Sequence, residues 1–229
     1  MKAKIFGNDE RMAALWQLML DDETKNEKEI FVAAPQTSVD AAFVKKEILP
    51  CDSVFFYGKI DKGALKLLDG YPNFCMLSDE IFADQNASLT AIAALNILSD
   101  FKISPSDAKI LIIGFGRIGV HLSKILWGLG AKYDVASTSS ARQARAFANE
   151  VMSLGELDFS KYDVIINTAP VPIVAKPSAT TLYIDLAGDY YKDINLMKNG
   201  SAYFGGLPAK CYPKSSAKLI YDFIKRSIK

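Results

Sequence analysis

Three glycines, Gly114, Gly116 and Gly119, stand where an aliphatic run, Lys109-Ile-Leu-Ile-Ile113, gives way to an amphipathic stretch, Ile118–Leu129. A glycine-rich turn between a strand and a helix can hold a pyrophosphate. The N–H groups at the helix start are free, and the helix dipole favours negative charge there. Each glycine has a separate task in such a turn. Gly114 permits the tight bend, Gly116 leaves room for phosphate against the backbone, and Gly119 lets the helix lie close on the strand. Arg117 and Ile118 complete the residues at the phosphate position, with Arg117 either reaching a phosphate or standing solvated. A turn of this spacing also occurs in α/β proteins that bind nothing. The strand before it and the helix after it favour binding.

The next strand, Lys132–Ala136, decides which dinucleotide fits. An NAD site usually carries an acid about 20 residues after the glycines, on the ribose 2′-hydroxyl. Asp134 lies inside the strand, too early for that task. Ser137, Thr138, Ser139, Ser140 and Arg142 occupy the position instead, and hydroxyls with a guanidinium suit a 2′-phosphate. NADP(H) is therefore the expected cofactor, with NAD the alternative. The same hydroxyls also suit the N-cap of a helix over Ala141–Glu150.

Hydride transfer needs a polar group to handle a proton. His121 is the only histidine and sits a turn into the helix after the glycines, so a histidine acid–base mechanism is rejected. Asn167 and Asp185 end two strands and, with Lys210, form the candidate catalytic set. Lys210 and Lys214 suit the carboxylates of an anionic substrate, and Lys59, Asp84 and Asn86 are further polar candidates from the first half. Each also reads as a solvated charge near a loop, Asn167 and Asp185 least so.

These residues need a scaffold of alternating strands and helices, the pattern of a mostly parallel sheet. Strands are expected at Lys4–Gly7, Glu29–Ala33, Ser53–Tyr57 and Asn73–Leu77, with helices at Asp9–Leu20 and Ile60–Leu68. A long apolar helix, Asn86–Phe101, bridges to the second half, and Pro105 closes it. Beyond it, strands are expected at Lys109–Ile113, Lys132–Ala136, Tyr162–Asn167, Thr181–Asp185 and Ala202–Phe204. Ser215–Ile228 is the closing helix. The expected organisation is a small α/β domain over 1–85, a bridging helix over 86–104, and a Rossmann domain over 105–229 that includes the closing helix. The fold class is α/β: a Rossmann doubly wound parallel sheet with a second, smaller, flavodoxin-like α/β domain. The small domain is expected to face the cofactor domain across a cleft, the closing helix offering a second connection.

A hydrophobic share of 50% over 229 residues supports packed cores, and a net charge of +1 argues against nucleic acid as a partner. Cys51, Cys75 and Cys211 are odd in number and far apart, which disfavours a disulfide framework or a zinc site; no metal is expected. No apolar run reaches a membrane span's ~18–20 residues, and the N-terminus lacks a leader's apolar core. A cytoplasmic protein is expected.

In order along nearly the whole chain, several segments resemble the dipicolinate synthase A subunit family, within the two-domain dehydrogenases related to D-2-hydroxyacid dehydrogenases. They are Gly7-Asn-Asp-Glu-Arg11, Gly114-Phe-Gly-Arg-Ile-Gly119, Ser137–Ser140, Ile166-Asn-Thr-Ala-Pro170, Leu182-Tyr-Ile-Asp-Leu-Ala187 and the stretch from Gly206-Leu-Pro to Pro213-Lys-Ser-Ser-Ala. The last is the most specific. The resemblance implies a pyridine nucleotide, with Thr168 and Pro170 beside the nicotinamide. It also implies oxidation of a cyclic dicarboxylate such as dihydrodipicolinate, on a lysine-related pathway in sporulation. A partner of the dipicolinate synthase B type, or a second copy in a homodimer, would assemble with it. The sequence departs from the family at Thr90, where the family has a glutamate, and at Gly188-Asp-Tyr-Tyr191, where it has arginine-proline-glycine. The first half is also shorter. A non-catalytic NAD(P)-binding module, either a redox sensor or a diverged member of a complex, is the alternative reading.

Overall fold

The computed structural model describes residues 2–24, 28–138, 145, 148–153, 157–170, 180–187, 202–203 and 205–228. The chain forms two compact units: Met1–Asn86 with Pro208–Lys229, and Ala87–Leu207. Its described helices are α1 (Glu10–Leu20), α2 (Ala41–Phe43), α3 (Lys62–Leu67), α4 (Glu80–Asp100), α5 (Arg117–Gly128), α6 (Leu207–Cys211) and α7 (Pro213–Ser227). None is long and apolar enough to cross a membrane.

The first unit contains β1 (Ala3–Phe6), β2 (Glu29–Ala33), β3 (Ser38–Val39), β4 (Ser53–Tyr57), β5 (Lys59–Ile60) and β6 (Asn73–Cys75). A parallel sheet has the order β1-β2-β4-β6, and β3 pairs with β5 alone. Aspartates start the helices: Oδ1 of Asp9, Asp40 and Asp61 accepts from the N–H of Met12, Phe43 and Ala64 at 2.9, 2.7 and 2.6 Å. Each satisfies an N–H that the first turn leaves without a helical partner. Asp79 does the same for Phe82 at 2.7 Å, so α4 begins at Glu80 rather than Asn86. Asp61 likewise delays α3 to Lys62 and leaves Lys59–Ile60 to pair with β3.

Strand alternation separates two cores. Ile30 and Val32 of β2 pack with Met12, Leu15 and Met19 of α1 and with Ala217, Ile220 and Phe223 of α7. Phe31 and Ala33 face the other way, onto Val44, Ile48, Ala64 and Leu68. The chain thus crosses from β1 to β2 over one face, then from β2 to β4 and β4 to β6 over the other, always stepping the same way along the sheet. The first crossover must therefore have the opposite hand to the next two. With the later pair in the usual right-handed sense, β1-α1-β2 is left-handed.

The closing helix corrects the expected domain boundary. It belongs to the first unit, not the Rossmann unit, because its apolar face completes the α1 core. A polar clip reinforces it. Asp22 Oδ2 accepts from the Tyr221 hydroxyl at 2.7 Å and from Lys225 Nζ at 2.9 Å, and Asp22 Oδ1 accepts from the Thr24 N–H at 2.8 Å. Its bonds to Thr24, Lys225 and Tyr221 hold the Asp22 carboxyl well below the usual carboxylate range, and burial with the Asp22 bond pushes the Tyr221 phenol up to about 12.

The second unit contains β7 (Ile110–Ile113), β8 (Tyr133–Ala136), β9 (Val151–Met152), β10 (Val164–Asn167), β11 (Leu182–Asp185) and β12 (Ala202–Tyr203) in one parallel sheet. Its order is β12-β11-β10-β7-β8-β9. Numbered from β7, this is the 3-2-1-4-5-6 order of a Rossmann sheet, with its reversal between β7 and β10. The expected α/β class with a Rossmann doubly wound parallel sheet is what the chain forms, while the smaller sheet's order, β1-β2-β4-β6, differs from the 2-1-3-4-5 order of a flavodoxin-like domain. Every residue of β7, β8, β10 and β11 is buried, which explains the nearly continuous aliphatic composition of β7 and β10.

One expected element gives way here. Residues 141–144 and 146–147 of the expected helix Ala141–Glu150 lie outside the described residues, and its end is not helical. The Asn149 N–H donates to Tyr133 O, and the Val135 N–H to Glu150 O, both at 2.9 Å. Pairing with β8 outweighs the local helical pattern and leads into β9, an edge strand too short to show a period in sequence.

Candidate dinucleotide-binding site

The site is built at the reversal, where loops after β7 and β10 diverge. Gly114 has φ +92°, a conformation that L side chains rarely adopt, and its N–H donates to Ala136 O at 2.8 Å. A Cβ there would lie 2.8 Å from both Ala169 Cβ and Thr168 Oγ1. At Gly119 a Cβ would lie 2.4 Å from Gly114 O. At Gly116 it would meet nothing within 4 Å. Two glycines are thus demanded by the protein's own packing. The third faces open space, which is the room a pyrophosphate needs.

Gly116 is the N-cap of α5; its carbonyl accepts from the Val120 N–H at 2.9 Å, and no side chain caps the helix. The N–H groups of Arg117, Ile118 and Gly119 fall in the turn that has no helical acceptor. Phe115 between the glycines is 7% exposed and anchors the loop. Arg117 is exposed, Ile118 half-buried and Gly119 buried. The residues present fit a dinucleotide phosphate.

β8 ends beside the same loop. Ser137 extends its pairing, donating from its N–H to Met152 O at 3.2 Å, and Thr138 is exposed. Asp134 is turned inward: Oδ2 accepts from the Tyr162 hydroxyl at 2.9 Å and Oδ1 from the Glu150 N–H at 3.2 Å. Burial, reinforced by Asp134, pushes the Tyr162 phenol up. Asp134 therefore holds the sheet together, away from a ribose. Ser139, Ser140 and Arg142 lie outside the described residues.

Asn167 and Asp185 are brought together. They are partners in the β10–β11 register, 0% and 1% exposed, and Asn167 Nδ2 donates to Asp185 Oδ1 at 3.5 Å. Asn167 Oδ1 accepts from the Ala169 N–H at 3.1 Å and Asp185 Oδ1 from the Ala187 N–H at 2.8 Å. Both thus fasten the loops that leave their strands. Thr168 Oγ1 donates to Ile113 O at 2.9 Å, tying β10 to the glycine turn. Pro170 is exposed, and Lys210 and Lys214 are exposed residues of the other unit. Ala169, which sequence reasoning takes only as part of the Ile166–Pro170 stretch and gives no role, lies against Gly114, where an added Cβ would meet its Cβ at 2.8 Å.

No protein-family model matches this sequence, and neither does any curated protein. Solved structures do. The dipicolinate synthase A subunit from Bacillus halodurans superposes with a TM-score of 0.75 at 18% identity, over 99% of this chain and 97% of that one. The A chain of dipicolinate synthase from Bacillus subtilis gives 0.75 at 17%, over 99% and 95%. This chain shares their fold. An NAD-complexed D-isomer specific 2-hydroxyacid dehydrogenase from Lactobacillus delbrueckii ssp. bulgaricus gives 0.57 at 10% identity, over 100% and 96%. The resemblance read from the sequence holds at the level of the fold from end to end.

Proposed function

We propose that this chain is an NADP(H)-dependent oxidoreductase of the dipicolinate synthase A kind, acting on a small, cyclic, anionic carboxylate such as dihydrodipicolinate. The observation that carries this reading is the open space at Gly116 beside an uncapped helix start, at the reversal point of a Rossmann sheet. Gly114, Gly116, Arg117, Ile118 and Gly119 hold the pyrophosphate. Ser137, Thr138, Ser139, Ser140 and Arg142 receive the 2′-phosphate, and Thr168 and Pro170 flank the nicotinamide. The nicotinamide, when bound, accepts or returns a hydride. A dihydropyridine ring that loses a hydride and a proton becomes aromatic, so water suffices as proton acceptor. Asn167 and Asp185 set the loops around the reacting ring, and Lys210 neutralises a substrate carboxylate. A cytoplasmic enzyme of a lysine-derived pathway in sporulation, working with a partner of the dipicolinate synthase B type, fits this reading. A non-catalytic nucleotide-binding module is the second reading, favoured by the complete burial of Asn167 and Asp185.

Titration of NADPH and NADH, followed by nicotinamide fluorescence, tests the cofactor. NADPH should bind more tightly, Gly116→Val should lose both, and Arg142→Ala should narrow the gap by ~1–3 kcal/mol, the scale of a charged hydrogen bond. Equal affinities in the wild type would refute the 2′-phosphate assignment. Dipicolinate formation from an enzymatically generated precursor with NADP⁺ separates the two readings. Absence of turnover despite tight NADPH binding would leave the non-catalytic module.

A further inference from the structure

The first unit has a crevice of its own at the carboxyl ends of its strands. Its first crossover has the opposite hand to the next two, so the chain leaves β1 over one face of the sheet and β2 over the other. Adjacent strands whose following loops part in this way open a space between them, where open α/β sheets bind ligands. Arg11 reaches into that space from the start of α1. Its Nη2 donates to Asp9 Oδ2 at 2.9 Å and to Gln36 Oε1, and Gln36 Nε2 donates to Asp9 Oδ2 at 2.8 Å. Asp9 follows β1 and Gln36 follows β2, so the three residues close across the gap. Arg11 is only 3% exposed, yet its Nε bonds to nothing among the described residues. A guanidinium has five N–H donors, and these bonds use those of Nη2 alone. Burial pulls the Arg11 guanidinium below its ordinary pKa despite Asp9, a cost that a bound anion would relieve.

A second cation and a helix start lie level with Arg11. Asp22, just past the end of α1, meets Tyr221 and Lys225 of α7, while Met12 and Leu15 share a core with Ala217 and Ile220. The two helices therefore run parallel. Eleven residues make three turns of a helix, so Arg11 lies over Asp22 on the flank of α1 that faces α7. Lys214 lies over Lys225 by the same interval, exposed in the first turn of α7. That turn has Pro213 at its first position and no side-chain cap. The N–H groups of Lys214 and Ser215 fall where a helix offers no acceptor, and the helix dipole is positive there. We infer that Arg11, Lys214 and the start of α7 form a carboxylate site in the first unit, which takes one carboxylate of the substrate. The inference rests on the anionic substrate proposed for this chain. Asp9 has both oxygens spent, Oδ1 on the Met12 N–H and Oδ2 on Arg11 and Gln36. It orients the guanidinium, and Lys214 supplies the positive charge that Asp9 cancels.

Calorimetric titration of the full chain, saturated with NADP⁺, compares dipicolinate, which has two carboxylates, with pyridine-2-carboxylate, which has one. Wild type should bind dipicolinate about tenfold more tightly, the scale of a charged hydrogen bond. Arg11→Gln and Lys214→Ala should each weaken dipicolinate by about tenfold and shrink the preference for it. Their NADP⁺ affinities and circular dichroism spectra should match wild type. Lys214 is exposed, so its variant carries the test if Arg11→Gln does not fold. A purely structural Arg11 would lower the thermal midpoint and leave the preference between the two ligands intact. A preference that survives in either folded variant overturns the site and leaves the proposed substrate standing. Failure of wild type to bind dipicolinate, with NADP⁺ still bound tightly, removes the substrate and the site together.

Discussion

Gly116 and Gly119 are three residues apart and chemically identical, yet a methyl group added to each meets opposite surroundings. At Gly119 it runs into the Gly114 carbonyl at 2.4 Å, and at Gly116 into nothing. Gly119→Ala should therefore cost about 1–3 kcal/mol through overpacking, read as a lower thermal midpoint. Gly116→Ala should leave the midpoint unchanged and weaken NADPH binding. Equal midpoints for both would mean that α5 moves off β7 freely. Asn167 behaves as a positioning residue. Asn167→Ala leaves the Ala169 N–H without its acceptor, and the loss should appear in stability, by about 1–3 kcal/mol, as well as in turnover.

The elements are fastened at their ends by acids, and this sets a pH response. Asp22 links the end of α1 to α7 through Tyr221 and Lys225. Because its carboxyl is held below the usual range, the unfolded chain takes up the proton first as pH falls. The stability that Asp22 contributes is present above pH ~4, the ordinary carboxylate range, and is lost as pH falls further. Asp22→Asn should unfold more readily at pH 7, by about 1–3 kcal/mol, and lose less stability than wild type as the pH is lowered from about 5 to about 3. Parallel acid dependence in the two proteins would remove Asp22 from the clip. At the start of α4, Asp79 caps through Phe82, and Asp79→Ala should cost about 1 kcal/mol.

At the scale of the molecule, the chain leaves its first unit at Asn86 and returns to it at Pro208. The core of that unit is completed by Ala217, Ile220, Phe223 and Ile224, far along the chain from Met12 and Leu15. A chain ending at Leu207 should therefore lose the fold of residues 2–86 while keeping the Rossmann sheet. Limited proteolysis would read this as rapid digestion of the N-terminal third, with 87–207 protected. Equal protection of both would show that α7 is dispensable.

The glycine turn was legible in the sequence because its physics is local. A buried aliphatic strand, three glycines and an amphipathic helix start lie within a short run of consecutive residues, and their spacing carries the chemistry. Strands β2, β4, β7 and β10 were legible for the same reason, since burial on both faces leaves an unbroken apolar run. Four features were decided only in three dimensions. The start of α4 rests on a single cap bond from Asp79, which composition does not distinguish from a surface acid. Strand β9 exists because β8 offers Val135 N–H and Tyr133 O to residues 149–150 against a helical local pattern. The placement of α7 and the open edge of β1 follow from the direction in which the chain steps along a sheet. No periodicity encodes that direction, because each hydrophobic pattern states only which face is buried and never against what.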